Sequence, residues 1–254
     1  MDAKTIIISG AGGIAQALAL MLSEWYDRPL RIYIGNRTLS RAEETARWVR
    51  KGTISAIPDI YAFHLPEEAP YPEEARQILD EADVLLDCLP GSEAPRMAEL
   101  ARDFKLHYAN LTEYVAETEK IMELARGAET GFILQSGLAP GFIDVLGHGM
   151  FQKFCEAQQV EKVEQVLMRV GALTEHSAPP AYYAFTWSPV GVATEYVEPA
   201  VVIRDYEKTL LPSLSERRIL RIRGKAYEEA LTSGGAADLP DALEIGRASC
   251  RERV

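Results

Sequence analysis

Lys4-Thr-Ile-Ile-Ile-Ser-Gly10-Ala-Gly-Gly-Ile-Ala-Gln-Ala-Leu-Ala-Leu-Met-Leu-Ser-Glu-Trp25 decides the fold, because it reads as strand, glycine turn and helix in immediate succession. The short β-branched run Lys4 to Ser9 predicts a buried strand, and Ala17 through Trp25 carries helical spacing. Between them stands G-x-G-x-x-A. Gly10 permits the tight turn, Gly12 lets the backbone approach a pyrophosphate with no Cβ in the way, and Ala15 keeps the helix close to the sheet. Gly13 and Ile14 open the helix, whose unpaired N–H groups and positive dipole end favour an anion. The motif therefore predicts a dinucleotide site at Gly10 to Ala15; a purely structural glycine turn is the alternative.

The end of the second strand, Leu30 to Ile34, predicts which dinucleotide. It runs into Gly35-Asn36-Arg37-Thr38, with no acid placed to hold a free ribose hydroxyl. Arg37, flanked by Asn36 and Thr38, suits a 2′-phosphate, because a guanidinium grips phosphate through two parallel hydrogen bonds. NADP(H) is expected over NAD(H). The competing reading is a solvated arginine at the start of the next helix, Leu39 to Arg50.

Apolar runs alternate with helical patterns as far as residue 136, which is the signature of a parallel sheet with crossover helices. Further strands are expected at Asp59 to His64, Val84 to Leu89, Leu106 to Asn110 and Gly131 to Gln135, with Pro66 to Pro72 a local loop. Cofactors bind at the carboxyl ends of such strands, so Leu89, Pro90 and Asn110 are positional candidates beside the nicotinamide half. Glu113 would place a carboxylate there to accept an amine proton or orient water; equally, it caps the helix starting near Tyr114.

A formal charge of −11 disfavours nucleic acid or an anionic membrane as partner. No apolar run approaches the roughly 20 residues of a membrane span, and Met1-Asp2-Ala3-Lys4 leads straight into the first strand, so a cytoplasmic protein is expected. Cys88, Cys155 and Cys250 show no metal-ligand spacing and are too few for a disulfide framework. No metal is expected. Residues 244–254, EIGRASCRERV, resemble the translation of a sequencing-library adapter and read as a non-native tail. The natural segment then ends near Leu243, inside a longer protein, and apolar surface should be left exposed in the second domain, with poor solubility and little activity.

After Gln135 the pattern changes. A helix from about Phe142 to Phe154 leads into Val160 to Val170, which alternates like a strand of a different sheet. Then come the aromatic stretch Tyr182 to Gly191, a helix to Glu198, a strand pair around Val201 to Leu211 and Thr232-Ser-Gly-Gly235. The boundary is placed near Gly137, giving domains at 1–136 and 137–243.

GAGGIAQA, NRT, DCLPG, SGLAPGFIDVLG, AFTWSPVGVATEYVEPAVVIRD and LTSGGAADLP, in that order, resemble the saccharopine dehydrogenase and lysine 6-dehydrogenase-like family from Met1 to Leu243. The resemblance implies an α/β protein: a Rossmann-type parallel sheet, then a mixed α/β domain for substrate binding and dimerisation, here truncated. It also implies a homodimer when full length, a nicotinamide cofactor, a small amino-acid substrate, and hydride transfer at an amine-bearing carbon through an imine. The WSPVG motif is more similar to saccharopine-forming or saccharopine-cleaving members. EYVEPAVVIRD, TSGG and Ala139 are more similar to lysine 6-dehydrogenase.

By position, the resemblance puts Gly137, Pro140, Gly141 and Phe142 at the cleft floor, and Tyr183, Trp187, Ser188 and Gly191 on the substrate side. Glu113 and Asp144 are the catalytic candidates for the proton, ahead of His148 and Tyr183. Arg169 and Arg204 suit a substrate carboxylate or a solvated strand edge. A protein that binds the cofactor as a sensor or scaffold, without turnover, is the competing class.

Overall fold

The isoleucine run forms β1 (Lys4–Ser9), in which Ile7 and Ile8 lose all contact with solvent. The computed structural model describes residues 3–54, 59–112, 114–171, 189–236 and 239–243. Glu113, Tyr183, Trp187, Ser188 and the 244–254 tail lie outside the described residues. The chain divides into two compact units, Met1–Gly137 and Leu138–Val254.

In the first unit, β1 is followed by α1 (Gly13–Trp25), β2 (Leu30–Asn36), α2 (Leu39–Gly52), β3 (Asp59–His64), α3 (Glu73–Glu81) and β4 (Val84–Asp87). A 3₁₀ turn at Gly91–Glu93 then leads to α4 (Ala94–Asp103), β5 (His107–Asn110), α5 (Val115–Ala125) and β6 (Phe132–Ile133). The strands lie in the order β3-β2-β1-β4-β5-β6, all parallel. Both faces are covered. Ile6, Ile8, Ile32, Ile34 and Ile60 pack under Ala15 and Ala19 of α1 and Ala42, Ala46 and Val49 of α2. On the other face Ile7, Phe63, Leu85 and Tyr108 pack under Leu79 of α3, Met97 and Ala101 of α4 and Ile121 of α5. Each large apolar side chain so buried contributes about 1.5–3 kcal/mol. This is the expected Rossmann-type sheet, and chain order reverses between β1 and β4, the crevice at which such folds take their ligands.

β6 is shorter than Gly131 to Gln135. Gln135 takes a left-handed φ of 55° and donates its N–H to the Asn110 side chain at 3.0 Å, which removes it from the ladder. β4 likewise stops at Asp87, because the Leu89 N–H turns back to the Asp87 carboxylate at 3.0 Å.

The second unit contains α6 (Phe142–Gln158), α7 (Pro189–Val197), the hairpin β7 (Ala200–Arg204) and β8 (Glu207–Leu211), the hairpin β9 (Arg218–Ile222) and β10 (Lys225–Glu229), and α8 (Leu239–Ala242). Both hairpins turn on two residues of positive φ, Asp205-Tyr206 and Arg223-Gly224, whose twist matches the flanking strands. The strand expected at Val160 to Val170 is not formed. Val166, Leu167 and Val170 stay exposed, and among the described residues no strand pairs its backbone with the segment. Side chains hold it instead: Arg169 pairs with Glu229 at 2.6 Å, and Met168 fills the space over Gly147 of α6. α6 buries none of its residues fully, and Phe142, Val145, Leu146, Met150 and Phe154 are exposed. Among the described residues no helix is long and apolar enough to cross a membrane.

Candidate functional site

The turn after β1 is built around Gly10. Its φ of 107° is a left-handed conformation that favours glycine, and a Cβ there would stand 3.1 Å from the Cys88 carbonyl oxygen. Its N–H donates to Gly35 O at 2.8 Å, and Thr45 of α2 donates its hydroxyl to Ala11 O at 3.3 Å. Gly12 caps α1. A Cβ on Gly12 or Gly13 would meet nothing within 4 Å, so open space faces the helix N-terminus where the phosphate reading needs it. Ala15 is fully buried between helix and sheet, whereas Ile14 is 58% exposed at the mouth of the turn.

One strand over, Asn36 organises the end of β2. Its side-chain oxygen accepts the Thr38 N–H at 2.8 Å, and its backbone carbonyl accepts the Leu65 N–H at 3.1 Å, joining the loops that follow β2 and β3. Arg37 projects from this joint and its guanidinium pairs with the Glu67 carboxylate. The two are 71% and 53% exposed, so a ligand phosphate can reach the guanidinium.

Below the crevice lies a buried polar row of which sequence reasoning named only Asn110. Ser9 of β1, Asp87 of β4 and Asn110 of β5 stand in register across neighbouring strands. The Asp87 carboxylate accepts the Ser9 hydroxyl at 2.9 Å, the Leu89 N–H at 3.0 Å and the Tyr108 hydroxyl at 2.9 Å. The Tyr108 hydroxyl also reaches Ala94 O at 3.1 Å, and the Asn110 amide donates to it at 3.4 Å. Burial raises the Asp87 carboxyl above its ordinary value despite the donors from Leu89, Tyr108 and Ser9, which act the other way. Burial, then the Asp87 charge, likewise raises the Tyr108 phenol, and pushes the Cys88 thiol up to about 12. The available signal was Asp87 at a strand end beside a glycine turn; its burial was not readable.

Asn110 spends its side chain on structure. Its Oδ1 accepts Gln135 N–H, and its carbonyl accepts both the N–H and the hydroxyl of Ser136, at 2.9 and 2.7 Å. Leu89 is partly buried against the core, while Pro90 is exposed and leads into the 3₁₀ turn. Gly10 to Ala15, Asn36 to Thr38, Leu89, Pro90 and Asn110 thus gather at the carboxyl ends of β1, β2, β4 and β5.

Gly137 closes the first unit. In the second, Pro140 is buried and follows a cis bond from Ala139, and Gly141 caps α6 at a φ of 124°. Phe142 is exposed at the start of α6. Asp144 accepts the Gly141 N–H at 2.9 Å through one oxygen; its other oxygen is buried without a partner among the described residues. A Cβ on Gly235 would stand 3.8 Å from that of Ala139, which brings the Ser-Gly-Gly stretch to the Ala139-Pro140 turn. Gly191 is buried in α7. His148 lies half-buried on α6. Arg169 is paired with Glu229 and Arg204 with both oxygens of Glu216, at 2.7 and 2.8 Å, so each arginine is already committed to a carboxylate.

Residues 6–134 match the saccharopine dehydrogenase NADP-binding domain, and residues 137–251 match the saccharopine dehydrogenase C-terminal domain, a match that runs on into the stretch read as a tail. Among solved structures, saccharopine dehydrogenase (L-Glu forming) from Saccharomyces cerevisiae superposes with a TM-score of 0.62 at 16% identity, over 95% of this chain and 57% of that one. The chain therefore spans little more than half the length of that protein, and the likeness shows fold alone. Shikimate dehydrogenase from Mycobacterium tuberculosis (TM-score 0.41, 14% identity, 53% of this chain and 46% of that one) is too distant to decide anything. UDP-N-acetylglucosamine 3-dehydrogenase from Acidithiobacillus ferrooxidans (0.42, 18%, 62% and 44%) is equally distant. With both domain matches in sequence order over a Rossmann-type sheet, the chain belongs to the saccharopine dehydrogenase family.

Proposed function

We propose that the protein is an NADP-dependent oxidoreductase acting at the amine-bearing carbon of an amino acid, of the saccharopine dehydrogenase kind. The observation that carries this reading is the open glycine turn over the β1/β4 switch point with Arg37 one strand away, on a chain whose first unit matches the family's NADP-binding domain. NADP, when bound, supplies the hydride donor or acceptor. The chain's own residues do the rest. Backbone N–H groups at Gly12 and Gly13 would hold the pyrophosphate, and Arg37 the 2′-phosphate. The Asp87 network fixes the Leu89-Pro90 loop on the nicotinamide side. Among the described residues, Asp144 carries the carboxylate candidate for moving a proton, with one oxygen free of hydrogen bonds.

The same reading takes the intact protein as a cytoplasmic homodimer. Lysine 6-dehydrogenase-like activity is the nearest alternative, favoured by Ala139 in the turn that meets Gly235. The test has two steps. Calorimetric titration should show NADPH binding more tightly than NADH, with Arg37→Asp abolishing the preference. Amine substrates, saccharopine and lysine first, should then change absorbance at the nicotinamide band. Silence across amines with cofactor binding intact would leave the protein a cofactor-binding sensor or scaffold.

A further inference from the structure

The Arg37 guanidinium that the 2′-phosphate reading requires is paired with a carboxylate of the same chain, Glu67. Glu67 is held there by its backbone. Leu65 is buried and donates its N–H to Asn36 O at 3.1 Å, and Arg96 of α4 donates to the Glu67 carbonyl at 2.9 Å. Arg96 is itself oriented by Glu93 at 3.0 Å. The loop after β3 is therefore fastened at Leu65 and at the Glu67 carbonyl, and the Asn36 side chain fastens the loop that bears Arg37.

A carboxylate presents to a guanidinium the same planar, anionic acceptor edge that a phosphate does. A 2′-phosphate arriving at Arg37 must displace Glu67 or sit beside it, and either costs affinity through lost pairing or like-charge repulsion. A cofactor without that phosphate leaves the pair intact. We infer that Glu67 is a specificity-determining residue, an internal competitor for the 2′-phosphate that limits how strongly NADPH is preferred over NADH. This rests on the cofactor reading proposed above.

Glu67→Gln keeps the size and removes the charge. Because both partners are largely exposed, the expected gain is modest: NADPH binds about three- to tenfold tighter in calorimetry, while NADH stays within about twofold. The gain should shrink as salt rises and vanish in an Arg37→Gln background. Unchanged NADPH affinity in Glu67→Gln, or a gain that persists without Arg37, would overturn the inference. So would weakened NADH binding, which would make Glu67 a ribose-hydroxyl acceptor. The unsubstituted protein keeps the two readings separable: if it prefers NADPH and Glu67→Gln changes nothing, only the competitor fails. If it binds neither nucleotide or prefers NADH, the cofactor reading itself falls and this inference with it.

Discussion

Replacing Asp87 by alanine and by asparagine should have opposite consequences. In the folded protein the carboxylate accepts from Ser9, Leu89 and Tyr108, all within 3.0 Å. Alanine leaves the Ser9 hydroxyl and the Leu89 N–H without an acceptor; Tyr108 retains Ala94 O at 3.1 Å. Two orphaned donors, one buried and one partly buried, at about 1–3 kcal/mol each put the cost near 3 kcal/mol. Asparagine keeps an acceptor for Ser9 and Leu89 in its side-chain oxygen, and its amide donates to the Tyr108 oxygen while the Tyr108 hydroxyl keeps Ala94 O. Its cost should stay under about 1 kcal/mol.

The pH dependence follows from the raised carboxyl of Asp87. Held more tightly in the folded state, its proton stabilises the fold fully below the ordinary carboxylate value of 3.8, and that stability is lost as pH rises through the folded value. Asp87→Asn has no such loss, so its stability relative to the unsubstituted protein should grow from pH 4 upward. Hydrogen exchange at the Ile7 and Ile8 amides reads the first unit alone and measures the alanine cost; melting temperatures from pH 4 to 8 read the asparagine difference. An alanine cost below about 0.5 kcal/mol, or an asparagine difference flat across that range, would refute the reasoning.

The glycine turn makes a contrasting pair. Gly12→Ala meets open space and should leave the melting temperature unchanged while weakening NADPH at least about tenfold in calorimetry, because only the ligand needs that space. Gly10→Ala forces a Cβ onto a left-handed backbone near the Cys88 carbonyl and should destabilise by about 1–3 kcal/mol on thermal unfolding. Gly91→Ala would put a Cβ 2.2 Å from Thr112 Oγ1 and 2.8 Å from the Tyr114 ring; a cost of about 1–3 kcal/mol is expected, and a neutral result would show that those neighbours yield freely. Asp144→Ala removes the acceptor for Gly141 N–H and should cost about 1 kcal/mol of helix stability, read by exchange at the first turn of α6, with Asp144→Asn recovering part of it.

The first unit was legible because its signals are local. A β-branched run, a glycine required by its φ, and a helix with an alanine face are adjacent in the chain, and alternation orders the rest. Val160 to Val170 misled for the complementary reason: alternation says which face a strand would bury, but not whether another strand lies beside it. Long-range pairings were equally unreadable. Glu67 is thirty residues from Arg37 and Asp87 is seventy-eight from Ser9, and neither spacing follows a helical or strand period. The Asp144 cap was within reach, since an acid three residues after a helix-opening glycine is a local pattern; a catalytic role drew attention from it. Glu113, Tyr183, Trp187 and Ser188 lie outside the described residues, so Glu113 rests on its place after a strand end and the other three on the family resemblance.

Cys88 stands between Asp87 and Leu89, its N–H tied to Ser9 O at 2.9 Å and its carbonyl packed against Gly10. With the thiol pushed up to about 12, almost none of it is thiolate at neutral pH, so alkylating reagents should find it unreactive while the strand ends stay together. That makes the residue an intrinsic clock. Its labelling rate counts how often the crevice between β1 and β4 parts, and a bound dinucleotide should slow the count without touching the sulfur.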